Sequence, residues 1–322
     1  MSVGLAVAVF CASVAASIVA SVVFGRKLDG VSERLGASEG LHGILTALGA
    51  DAPEISTAIA AMVASHGDIG VGVVVGSNVF NLAGLLGLSA VLAGRVAIHR
   101  HGLLFNGGVA LVVAAVGTVL VLGGIGALAA TVLLLAVLVP YVAVLSVRTA
   151  RLPRFLAVAV REEVEDLRTE HVGSRSPWDP AVLAAALAVI IGSSIGMVHA
   201  ATDLGHRWGV SDLVIGTLVL ASLTSIPNLL TAVRLALHGR GPAVVSEALN
   251  SNSLNVLGGI ALPGLALTLG AATGVERFSI WWLAGMTCIV VALTFRRRGL
   301  SRLDGLAILL LYVPFVIVIA TR

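Results

Sequence analysis

Residues 47–67 read ALGADAPEISTAIAAMVASHG and residues 72–84 GVVVGSNVFNLAG; residues 221–241 read ASLTSIPNLLTAVRLALHGRG and residues 246–258 SEALNSNSLNVLG. The two stretches match without a gap at an offset of 174 residues (227 − 53). Pro53 falls on Pro227, Thr57 on Thr231, Gly67 on Gly241, Ser77 on Ser251, Asn78 on Asn252, Asn81 on Asn255 and Gly84 on Gly258. Each copy sets proline, hydroxyls, amides or acids inside an apolar run, a costly arrangement in lipid that is rarely kept without use. Paired, interrupted hydrophobic segments in matching halves point to the binding site of a transporter.

The rest of the 322-residue chain agrees: 58 % of residues are hydrophobic and 11 % charged. About 20 apolar residues span a bilayer as a helix, and ten such runs are expected near 2–24, 40–66, 69–93, 102–123, 126–147, 180–205, 211–238, 242–270, 279–295 and 303–321. The fold class expected is an all-α integral membrane protein, ten transmembrane helices arranged as two inverted five-helix repeats. Few segments have strand period, which argues against an outer-membrane barrel. The first run lacks a basic leader and is longer than a signal-peptide core, so it reads as a retained span. Cys11 and Cys288 both lie within spans and carry no information on redox compartment.

The net charge of +3 is topological rather than a nucleic-acid signature. Of 20 basic residues, 17 fall in or beside the odd-numbered connections and only Arg207, Arg277 and Arg322 in the even ones or at the C-terminus. The positive-inside rule then places both termini outside the cytoplasm. One lysine against nineteen arginines is associated with GC-rich bacterial genomes, which suggests a bacterial plasma (inner) membrane. Three regions follow: a first repeat (1–147), a cytoplasmic linker (148–178) with an amphipathic helix over 155–170, and a second repeat (179–322). Because each half has an odd number of spans, the second enters the membrane inverted, an architecture used for alternating access.

The polar residues form a constellation. A proline inside a helix frees a carbonyl about one turn earlier; for Pro53 that means Gly49 and Ala50, and for Pro227 the backbone beside Thr224. Asp51 and Glu54 are three residues apart and share a helix face near mid-membrane. Ser77, Asn78 and Asn81, then Thr224, Ser225 and Asn228, then Ser251, Asn252 and Asn255 supply neutral oxygens. Two carboxylates with amide, hydroxyl and carbonyl oxygens suit Ca²⁺, or Na⁺ and H⁺ competing for the same acids. Cysteine and histidine are missing from the set, which argues against zinc or copper. Asn81, Asn228 and Asn255 are expected as ligands, and Asn78, Asn250 and Asn252 as packing residues between helices. Glu247 and Asp203 read as interfacial.

These residues resemble the sodium/calcium exchangers of the cation/calcium antiporter superfamily, whose repeated motif is Gly-Thr-Ser-x-Pro-Glu followed by Gly-Ser-Asn-x-x-Asn or -Asp. The first copy here is Gly49-Ala50-Asp51-Ala52-Pro53-Glu54 and Gly76-Ser77-Asn78-Val79-Phe80-Asn81. The second is Leu223-Thr224-Ser225-Ile226-Pro227-Asn228 and Asn250-Ser251-Asn252-Ser253-Leu254-Asn255. The resemblance implies Glu54 as the central acid, Ser77 and Asn81 as its partners, and Thr224, Ser225 and Ser251 with the carbonyls of Ala50 and Leu223 completing the site. The chain departs from the motif at Asn228 and Asn255, where acids are usual, and at Ala50-Asp51, where Thr-Ser is usual. It thus loses a symmetric glutamate pair and gains an acid three residues before Glu54.

The expected activity is secondary antiport of Ca²⁺ against Na⁺ or H⁺, with no cofactor and no enzymatic role. The partners expected are inorganic cations and the bilayer, with no nucleic acid, and the protein is read as a monomer. Two adjacent acids tilt the coupling ion towards the proton. The alternatives are a transport-inactive or sensing paralogue that binds cations, or an antiporter for another cation.

Overall fold

The computed structural model describes residues 1–34, 39–146 and 178–321, with Pro153, Ala157, Val158 and Ser176 between the last two stretches. The expected linker helix over 155–170 lies outside the described residues apart from Ala157 and Val158. Helix α1 is Val3–Arg34, α2 Glu39–Val63, α3 Gly67–Ala93, α4 Arg100–Val121 and α5 Ala127–Ser146. Helix α6 is Asp179–Trp208, and α7 is a bent pair, Asp212–Thr224 and Ile226–Leu237. Helix α8 is Gly241–Val256, α9 Gly274–Arg297 and α10 Arg302–Ala320.

Among the described residues, seven helices are long and apolar enough to cross a membrane, or eight if the bent pair is one span. The two that fall short, α2 and α8, carry the polar motif. Helix α8 falls short in length, at 16 residues. The elements fall within about five residues of the expected runs except at α1, which continues past residue 24 to Arg34, and at α8, whose helix ends at Val256 and its π continuation at Ala261 where the run was expected to reach 270.

Local chemistry explains the boundaries. Helix α9 opens with a capping box in which the Thr273 hydroxyl accepts from the Glu276 backbone N–H and the Glu276 side chain accepts from Thr273. Helix α10 repeats the device with Ser301 and Asp304, satisfying backbone donors that a helix start leaves open. Helix α6 starts with Pro180 in its first turn and ends at Gly209, whose φ of 69° is the left-handed cap that glycine adopts freely. A short antiparallel ribbon joins the lower ends of α3 and α9: β1, Arg95–Ala97, pairs with β2, Gly299–Ser301. The N-terminus of α8 abuts this ribbon so closely that a Cβ on Gly241 would lie 2.0 Å from the Ala97 carbonyl oxygen.

Among the described residues three stretches widen into π-helix, namely Asn81–Leu88 in α3, Ile215–Leu220 in α7 and Leu257–Ala261 after α8. The first and last begin at or just after the repeat-equivalent Asn81 and Asn255. Single-turn π segments cluster at functional sites because the extra residue re-aims side chains. The π segment of α7 lies directly on α3. A Cβ on Gly76 would sit 2.1 Å from the Thr217 carbonyl, and one on Gly216 2.5 Å from that of Ile69. Small residues thus let two helix backbones touch, the contact that holds helices together where lipid removes the hydrophobic drive.

The halves also meet through one reciprocal contact. Asn78 Nδ2 donates to the Asn252 carbonyl and Asn252 Nδ2 to the Asn78 carbonyl, each at 3.1 Å. A pair of residues 174 apart exchanging the same bond in both directions is what a local two-fold axis produces. Helix α1 packs along α6, bound at one end by Lys27 Nζ to Asp179 Oδ1 at 2.9 Å. At the other end Asp203 pairs with Arg207 at 3.2 Å and with the Met1 amino group at 3.9 Å.

Candidate cation site

Helices α2, α3, α7 and α8 bring the motif residues to one buried locus. Asp51 and Glu54 are both 0 % exposed. The amides and hydroxyls of the second repeat act on them as hydrogen-bond donors. Asn228 Nδ2 donates to Asp51 Oδ1 at 2.8 Å and to Glu54 Oε1 at 3.3 Å. Ser225 Oγ reaches Glu54 Oε1 at 2.5 Å, Asn255 Nδ2 donates to Glu54 Oε2, and Ser251 Oγ donates to Asp51 Oδ1. Asn81 stands one step back: its Nδ2 donates to Ser251 Oγ at 3.0 Å and to Asn252 Oδ1 at 3.2 Å.

This pattern orients the amides. An ionised carboxylate only accepts, so Asn228 and Asn255 must present nitrogen to it and turn oxygen away. Asn81 Oδ1, Asn228 Oδ1, Asn255 Oδ1 and Asp51 Oδ2 are accordingly buried with no hydrogen-bond donor. Four orphaned oxygens in one site are unusual, since most buried polar atoms in folded proteins are satisfied. A hard cation bound by several oxygens would satisfy them. Among the described residues no three or more His, Cys, Asp or Glu cluster as a resident metal site would. The donor set is two carboxylates and neutral oxygens.

Asn78, Asn250 and Asn252 serve packing contacts. The first and last exchange backbone bonds, and Asn250 Nδ2 donates to Ser246 Oγ at 3.0 Å while its Oδ1 lies 2.8 Å from the Tyr141 hydroxyl. Other expected site residues sit at the locus without touching the acids. Thr224 Oγ1 turns back to the Leu220 carbonyl at 2.9 Å, and Ser77 Oγ approaches the Ala221 carbonyl at 3.5 Å.

The prolines act unequally. Helix α7 breaks at Ser225 with a bend of 46°, and Pro227 leaves the Leu223 carbonyl without its ladder partner. Helix α2 instead runs unbroken through Pro53. Only the Gly49 carbonyl, four residues earlier, loses its partner, and Ser21 Oγ of α1 donates to it at 3.3 Å. Ala50 therefore stays inside a continuous helix, and the freed oxygen of the first repeat is that of Gly49. Ser21 escaped the sequence reading because a lone serine in an apolar helix carries no signal of its distant partner. The link from Thr57 Oγ1 to Ser194 Oγ at 3.1 Å escaped for the same reason.

A sequence model of the family described as sodium/calcium exchanger protein matches residues 5–160 and 178–321. The chain belongs to this family. The candidate antiporter CaxA of Alkalimonas amylolytica is 26 % identical over 47 % of this chain and 50 % of its own length. The sodium/potassium/calcium exchanger 2 of Mus musculus is 35 % identical over 30 % of this chain and 14 % of its own length. The chain thus aligns with half or less of these two relatives. Among solved structures, the H⁺/Ca²⁺ exchanger CAX superposes with a TM-score of 0.75 at 14 % identity, covering 98 % of this chain and 85 % of that one. The sodium-calcium exchanger NCX_Mj, soaked with Na⁺ and Sr²⁺, gives 0.65 at 21 % identity over 98 % and 99 %. At these identities the superpositions establish the shared exchanger fold.

Proposed function

We propose that this member of the sodium/calcium exchanger family is a secondary antiporter that exchanges Ca²⁺ against Na⁺ or H⁺ across a bacterial plasma membrane. One observation carries the reading: two fully buried carboxylates held by amide and hydroxyl donors, with four orphaned oxygens beside them. A dehydrated divalent cation is bound by such a set, and its two charges balance Asp51 and Glu54. Loss of the cation leaves two like charges one turn apart, which Na⁺ or a proton can neutralise in exchange. The 174-residue repeat and the reciprocal Asn78–Asn252 bonds support two inverted five-helix halves. Such halves alternate access by rocking about a shared central site. The positive-inside count favours external termini.

The test is ⁴⁵Ca²⁺ uptake by purified protein in liposomes, driven in turn by a Na⁺ and a H⁺ gradient. Uptake that depends on one gradient supports antiport and names the coupling ion; the adjacent acids favour the proton, so collapsing the pH gradient with an ionophore at fixed Na⁺ should slow it. Absence of uptake under both gradients, with Ca²⁺ still protecting the protein from heat, would replace antiport with cation sensing.

A further inference from the structure

Helix α8 meets the acids of α2 in a regular ladder. Asn255 bonds Glu54, and one turn earlier Ser251 bonds Asp51. The pairings 255 to 54 and 251 to 51 mean that α2 and α8 run the same way past each other. One further turn down α8, four residues and ~6 Å along the axis, the next residue on the same face is Glu247. It lies between the Ser251 rung and the ribbon end of the bundle, where α8 begins against Ala97.

Glu247 was expected at the membrane interface, yet it lies within α8, partly buried and flanked by the buried Ser246 and Ala248. Among the described residues its carboxylate has no hydrogen-bond or ion-pair partner. The nearest rung above offers an incomplete group: Asp51 Oδ2 is buried and unpartnered, although Asp51 Oδ1 receives two donors. The repeat equivalent of Glu247 is Val73 (247 − 174), so this acid belongs to one half only. A partly buried acid with no partner among the described residues, one helical turn along α8 from the serine that holds Asp51, is hard to justify in a membrane helix on structural grounds.

We propose that Glu247 and the free oxygen of Asp51 form a second cation position, on the ribbon side of the Glu54 site, that receives Ca²⁺ or Na⁺ entering or leaving by that face. This rests on the antiporter reading above. Glu247 does not join Asp51 and Glu54 around one ion, because no cluster of three such groups forms among the described residues. It is a separate station, and it adds a third acid on the ribbon side of the Ser251–Asp51 rung.

The experiment measures half-saturating Ca²⁺ for ⁴⁵Ca²⁺ exchange in membrane vesicles of both orientations, for wild type, Glu247→Gln and Glu247→Asp. Glu247→Gln is expected to raise the half-saturating concentration about tenfold when Ca²⁺ is offered at the ribbon face and to change it less than about twofold at the other face. Glu247→Asp, which keeps the charge, should stay close to wild type. An equal rise at both faces would mean that Glu247 only props the Ser251–Asp51 rung, and no rise would remove it from the path. Either result overturns the second position while wild-type flux leaves the antiporter reading standing. Wild-type vesicles that move no Ca²⁺ in either orientation would overturn both.

Discussion

Glu54→Gln should separate ion binding from folding. In the native site Glu54 accepts from Ser225 Oγ, Asn228 Nδ2 and Asn255 Nδ2. Glutamine keeps one oxygen, which can serve Ser225 and Asn228, but its amide nitrogen then faces the Asn255 nitrogen. Asn255 can resolve the conflict by turning its unpartnered Oδ1 inward, at the cost of its bond to Asn78 Oδ1 at 3.1 Å. One neutral hydrogen bond is worth about 1 kcal/mol, and removing a charge beside Asp51 offsets part of it. Stability without calcium should therefore change by about 1 kcal/mol or less. The effect on the cation is larger. A unit charge about 4 Å away at an effective dielectric constant of about 20 contributes about 4 kcal/mol per unit of ionic charge. That is roughly a thousandfold in affinity even with the ion counted as monovalent. At a Ca²⁺ concentration of about 1,000 times the wild-type dissociation constant, linkage stabilises wild type by about 4 kcal/mol and the variant by about 0.4. Thermal unfolding in detergent, with and without Ca²⁺, reads this difference, and proteoliposome flux should fall to background. A variant that keeps a wild-type calcium shift, or ordinary flux, would refute Glu54 as the centre of the site.

Asp51→Ser should weaken Ca²⁺ binding nearly as much, and adding Asn228→Glu should recover part of the loss. Residue 228 already lies against Glu54 and Ser251, so the site returns to two carboxylates; isothermal titration of the single and double variants checks it, and equal affinities would refute charge relocation. Gly76→Val should abolish folded protein, since even a Cβ there would be 2.1 Å from the Thr217 carbonyl. Monodisperse protein in size-exclusion chromatography would contradict the direct α3–α7 backbone contact.

Most of the bundle was legible because hydrophobic runs of membrane length are long signals, and the repeat gave each polar residue a second, independent sighting. What stayed hidden depends on partners far along the chain. That Pro53 leaves α2 straight while Pro227 accompanies a break in α7 turns on neighbours such as Ser21, 28 residues before Gly49. The matched spelling of the two motifs suggested equivalent backbone roles, and packing made them unequal. Thr224 Oγ1 gives its proton to the carbonyl four residues back, a local bond that composition does not reveal and that leaves its oxygen lone pairs free. Glu247 reads as interfacial from its distance to a span end, and its alignment on α8 one turn before Ser251 emerges only with the pairing of α2 and α8.

The replacement of acids by Asn228 and Asn255 has a physical logic that the motif alone did not reveal. Glutamate at both 54 and 228 would put two acceptor-only groups in contact across the repeat interface, a pair that needs a cation or a proton between them. With asparagine at 228 the same contact becomes donor to acceptor, 3.3 Å to Glu54 and 2.8 Å to Asp51. The acids are then held by the second repeat's own donors, and both central carboxylates are carried by α2. A cation entering must compete with these donors for carboxylate oxygen while gaining the amide oxygens that now face away from the acids. On the antiporter reading proposed above, a bound cation would call for Asn228 and Asn255 to turn oxygen inward, a rotation made on α7 and α8, the half of the molecule that contributes neither central acid.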